Sequence, residues 1–92
     1  VHRPTLSVAK LGSSHTFTCP RAHVQTNKYK FYKLGIAGPR SLITPDANNK
    51  QIDYLLMKSN LGFTDSGLYF CSVYDQNDKV VEKMIGILTV LP

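Results

Sequence analysis

The sequence predicts an all-β fold, a two-sheet β-sandwich, on three observations. Short runs of alternating apolar and polar residues recur along all 92 residues with turn-forming clusters between them, a spacing typical of sandwiches and barrels. No stretch carries the 3.6-residue apolar period of an amphipathic helix, and there is no internal repeat. Near the C-terminal end, Asp65-Ser66-Gly67-Leu68-Tyr69-Phe70-Cys71 sets a tyrosine two residues before the second of only two cysteines. The length suits one domain, residues 1–92.

Thr5 to Ala9 is apolar at Leu6 and Val8, and Gly12 follows as a turn. Thr16-Phe17-Thr18-Cys19 alternates with Phe17 and Cys19 on one face, and Pro20 ends it because proline cannot donate to a ladder. In Lys28 to Leu34, Tyr29 and Phe31 point one way and Lys30 and Tyr32 the other. Gly35, Gly38 and Pro39 then break the chain before the short apolar piece Ser41-Leu42-Ile43. Thr44 to Lys50 reads as loop. Gln51 to Lys58 reads as one strand of ambiguous facing, because Leu55 and Leu56 are adjacent. Leu68 to Tyr74 is a strand, Asp75-Gln76-Asn77-Asp78 a hairpin turn, and Val80 to Leu91 the last strand.

Taken together, these pieces resemble the immunoglobulin superfamily over essentially the whole chain. Cys19 and Cys71 fall where its bridging cysteines stand, Asp65 and Tyr69 where its tyrosine corner does, and Leu61 where an apolar plug precedes that corner. Phe31-Tyr32-Lys33 with Gly35 is similar to the Trp-Tyr-Lys/Arg…Gly stretch of variable-type domains, with Phe31 as core aromatic in place of tryptophan. Met84 to Val90 lacks the Phe-Gly-x-Gly bulge of rearranged joining segments, which sets the chain apart from antigen-receptor variable domains. The cysteine separation, 71 − 19 = 52, is short for a variable domain and long for a constant one. The resemblance implies a variable-like or intermediate type, with one extra strand near Leu42 in the first sheet, similar to leukocyte and immune-type receptor ectodomains. It also implies a Cys19–Cys71 disulfide, hence an oxidising compartment, cell surface or secreted. The alternative is a pair of buried free thiols in a reducing one. No run approaches the roughly 18 apolar residues of a membrane span, so an anchor is expected outside this chain. No Asn-x-Ser/Thr glycosylation sequon occurs.

Catalysis is not expected. A nucleophile needs an activating base and an orienting group, the resemblance commits both cysteines to a bridge, and His2, His15 and His23 fall in separate contexts. No cysteine or histidine pair has metal-ligand spacing, Gly-rich phosphate loops are absent, and no cofactor or nucleic-acid partner is implied. The basic residues behind the net charge of +5 form no single run, but Arg21, His23, Lys28, Lys30, Lys33 and Arg40 concentrate in the first half.

Recognition depends on strand alternation. With Tyr69 and Cys71 facing the core, Leu68, Phe70, Ser72 and Tyr74 face outward, and with Leu88 and Val90 in the core, Ile85 and Ile87 do too. Tyr32 joins them. The expected outer face therefore carries Tyr32, Phe70, Tyr74, Ile85 and Ile87 inside a rim of Lys30, Lys33, Asp75 and Lys83, the composition of a protein interface. A slip of one residue in register would invert the assignment. Lys28, Lys30, Lys33 and Arg40 form a candidate basic strip for sulphated glycans, or an edge guarded against aggregation. Asp65 is expected to pair with Arg40 or Lys50 in a structural role. The sequence thus points to an extracellular recognition domain of a cell-surface immune-type receptor, binding a protein ligand or itself. The other readings are an adhesion or matrix module holding sulphated glycans, and a spacer in a tandem array.

Overall fold

A computed structural model describes residues 3–20, 29–35, 39–74, 77 and 79–92. The strands are β1 (Thr5–Lys10), β2 (His15–Thr18), β3 (Tyr29–Leu34), β4 (Ser41–Leu42), β5 (Asn49–Ile52), β6 (Leu55–Lys58), β7 (Gly67–Tyr74) and β8 (Val80–Leu91), with a 3₁₀ turn at Phe63–Asp65. They form a five-stranded sheet in the order β1-β8-β7-β3-β4 and a three-stranded sheet in the order β2-β6-β5. All pairings are antiparallel except β1 with β8. The chain folds as an immunoglobulin-like sandwich, and β4 pairs with β3 as the expected extra strand at Leu42.

The inner faces close on Phe17, Cys19, Phe31, Leu56, Leu61, Tyr69, Cys71, Ile85, Leu88 and Val90. Cys19 and Cys71 are joined by a disulfide between the two layers, and Phe31 lies directly beside Cys71 in the ladder. Phe17 of one sheet stacks on Tyr69 of the other, with ring centroids 4.1 Å apart. Gly86, in register with both Tyr69 and Thr5, keeps that corner open, because a Cβ there would come within 3.0 Å of Thr5 Oγ1.

The Tyr69 hydroxyl donates to the Asp65 carbonyl at 2.6 Å, which makes the tyrosine corner. Burial first, and the nearby Asp65 carboxylate second, push the phenol's pKa upward, so it remains a donor. Tyr69→Phe removes the donor and keeps the ring. It is expected to cost about 1 kcal/mol, read as a lower midpoint in urea with an unchanged slope.

Two sequence expectations are corrected here. Gln51 to Lys58 is a hairpin, not one strand: Ile52 pairs with Leu55 across a two-residue turn, and β5 begins at Asn49, inside the expected loop. Asp53 takes the turn's positive φ of 50°, a conformation aspartate tolerates. The adjacent leucines then sort themselves, with Leu56 and Lys58 inward and Leu55 and Met57 outward. Asp65 pairs with Lys58 rather than Arg40 or Lys50. Lys58 Nζ lies 3.4 Å from Asp65 Oδ1 and donates to Asn49 Oδ1 at 2.5 Å. Lysine at 5% exposure is tolerated because both partners are present.

His15, on β2 beside Lys58, meets Phe17 edge-on with centroids 4.6 Å apart. Its partial burial disfavours the charged imidazolium and lowers its pKa from 6.5. The unfolded chain therefore binds this proton more readily than the native one. Stability is full above about pH 6.5 and falls with acidification until the folded-state pKa is passed. His15→Gln is expected to flatten the melting temperature over that window, while leaving the later acid loss from Asp46. The Asp46 pKa is lowered from 3.8, first by the Asn48 backbone N–H, so its contribution disappears only at lower pH.

A candidate protein-recognition face

The outer side of the five-stranded sheet follows from the registers. Directly paired residues share a face, and two apolar rows result. One runs Leu6–Ile87–Leu68–Leu34 across β1, β8, β7 and β3. The other runs Met84–Phe70–Tyr32–Leu42 across β8, β7, β3 and β4. A polar row, Glu82–Ser72–Lys30, lies beyond the second. Leu6 and Leu42 remain 81% and 51% exposed, so each row is open at one end and half-buried along the rest.

Arg40 lies across this face. Its guanidinium sits over the Phe70 ring, 3.9 Å from the centroid, and is ion-paired with Glu82. Both charged side chains are about 40% exposed, so the pair fixes orientation more than it stabilises; exposed pairs contribute about 0–1 kcal/mol. Its arrangement leaves a planar cation stacked on an aromatic ring, the residue types that dominate interface energetics.

Tyr32, Phe70 and Ile87 stand together here as expected, and Tyr74 lies further along the same face, paired with Val80. Ile85 does not. The β7–β8 register shifts between Tyr69 and Phe70, whose partners are Gly86 and Met84, so Ile85 is the extra residue of a β-bulge. Its side chain turns inward, 3% exposed, among the core residues. The bulge changes the side to which each side chain points, and plain alternation from Leu88 therefore fails below Gly86. Lys83 is set beside Cys71 on the inner side for the same reason. Asp75 lies outside the described residues.

The basic strip is not assembled among the described residues. Lys30 is on the outer face, Lys33 is opposite Tyr69 and donates to the Thr64 carbonyl at 2.6 Å, and Arg40 is held by Glu82. Lys28 lies outside the described residues. Alternation places Leu68 outward, but Leu6, Leu34, Leu42 and Met84 were missed as members of the apolar rows, because row membership depends on strand order. The alternation of Leu6 and Val8 was the one available signal.

Fold and face together define an immunoglobulin-like domain with an apolar, arginine-topped sheet surface. No protein-family model and no curated protein matches the chain. Solved structures do. The N-terminal four Ig domains of Dscam1 isoform 8.4 match at a TM-score of 0.84 and 22% identity, over 98% of this chain and 23% of that one. Those of Dscam1 isoform 4.4 match at 0.81 and 24%, over 98% and 22%. The N-terminal eight Ig domains of Down Syndrome Cell Adhesion Molecule isoform 1.30.30 match at 0.76 and 22%, over 94% and 11%. The chain thus spans a quarter or less of each of these, and at such identities the likeness shows the fold.

Proposed function

We propose that this domain recognises a protein partner at a cell surface, as part of an immune-type receptor ectodomain, and that the outer face of the five-stranded sheet makes the contact. The observation that carries the reading is the pair of contiguous apolar rows crossing that sheet, which no element among the described residues covers. Large contiguous apolar surface on a soluble domain marks an interaction site. The disulfide supports an oxidising, extracellular setting. Structural neighbours that include a protein named as a cell adhesion molecule agree with recognition at a cell surface.

The test is staining of a cell panel with a fluorescent multimer of the domain at low and at raised salt. Selective staining that survives raised salt is the expected result, because contact through apolar rows is not screened. Salt-sensitive staining of nearly every cell type would contradict it and indicate a polyanion instead.

A further inference from the structure

The longest free edge among the described strands is β1, which pairs with β8 on one side only. Free edges in β-proteins are ordinarily shortened, charged or interrupted by proline, because they template further pairing. The other edges here follow that rule. β4 has two residues just after Pro39, β2 has four and stops at Pro20, and β5 has four and carries Lys50. β1 has six residues, no proline and no charge before its last residue, Lys10. It also carries the two most exposed large apolar side chains described, Leu6 at 81% and Val8 at 69%, both on the outer face.

We infer that β1 pairs antiparallel with β1 of a second copy of this chain, joining two five-stranded sheets edge to edge about a two-fold axis through Ser7. The register follows from side-chain facing. Residues directly opposite in an antiparallel pair share a face, so only pairings that set even positions against even ones keep Leu6 and Val8 outward. Centring on Leu6 would set Val8 against Pro4, and centring on Val8 would set Leu6 against Lys10. Centring on Ser7 sets Leu6 of each copy against Val8 of the other, and Thr5 against Ala9. Each Leu6 then lies against one Val8, a pair repeated by the two-fold axis, and the Leu34–Leu68–Ile87–Leu6 row continues onto Val8 of the second copy. A symmetric, self-complementary contact of this kind closes as a dimer rather than growing into a fibre. The dimer is weak, because a six-residue edge buries less than the roughly 1,200 Å² of a stable interface. This edge contact shares Leu6 with the face proposed above, but it does not require that face to bind a partner.

Sedimentation velocity on the intact domain, up to about 1 mM, tests it. Wild type is expected to show a concentration-dependent dimer. Leu6→Lys/Val8→Lys sets like charges opposite each other twice and is expected to weaken it more than about tenfold. Leu6→Lys/Val8→Glu, which sets opposite charges across the same two positions, is expected to restore it. Both positions are exposed, so all three proteins fold. A wild type monomeric throughout, a dimer indifferent to the double lysine variant, or failure of the lysine–glutamate variant to recover would each overturn the inference. The face reading would stand or fall separately on the cell-staining result.

Discussion

Ile85→Asp is expected to unfold the domain, while Ile87→Asp, two residues along the same strand, leaves it folded. Ile85 is 3% exposed within the core cluster, and the bulge between Tyr69 and Phe70 is what turns it there. A carboxylate there would sit among the apolar side chains of the core cluster, and moving a charge into such surroundings costs several kcal/mol, on the order of the whole stability of a small domain. Ile87 pairs with Leu6 and Leu68 on the outer face and is only half-buried, so an aspartate there reaches water. Circular dichroism and thermal melting of the two variants give the comparison. If both unfold, or neither does, the bulge is misplaced and the outer face must be redrawn.

Removing the disulfide with Cys19→Ala/Cys71→Ala is expected to lower stability by about 4 kcal/mol, the loop-closure entropy for a separation of 52 residues. In a domain of 92 residues, each kcal/mol shifts the melting temperature by roughly 4–8 °C, so a fall of 15 °C or more follows. The effect acts mainly through the unfolded chain. Phe31, Leu56 and Tyr69 still surround the site, and a native-like near-ultraviolet spectrum is expected at low temperature. A fall of less than about 5 °C would mean that the core holds the two sheets together without the bridge.

Legibility in the sequence followed the range of the interactions. Features written in local order were readable: the tyrosine corner, the two cysteines, Phe31 beside the bridge, the plug at Leu61, and β8 from Val80 to Leu91. Features set by distant pairing were not. Nothing near Ile85 marks the bulge, which shows only in the pairing of β8 with β7. Lys58 as the partner of Asp65 could not be found without knowing that β6 crosses beneath the corner, and Arg40 goes instead to Glu82. The β5–β6 turn lacked the Asn-Gly or Asp-Gly signature of a tight hairpin, so Asp53 and Tyr54 were absorbed into one strand. The candidate face was legible at Tyr32, Phe70 and Ile87, where alternation sufficed. Its continuation onto Leu6 needed the parallel β1–β8 pairing.

The most direct measurement is cell staining by multimers of two variants of matched chemistry, Ile87→Asp on the outer face of the five-stranded sheet and Ile52→Asp on the opposite sheet. Ile52 is 47% exposed and belongs to β5, so both proteins are expected to fold, which melting curves verify. Loss of staining with Ile87→Asp and its retention with Ile52→Asp is the predicted result. Retention with Ile87→Asp and loss with Ile52→Asp would place recognition on the three-stranded sheet and contradict the proposed face.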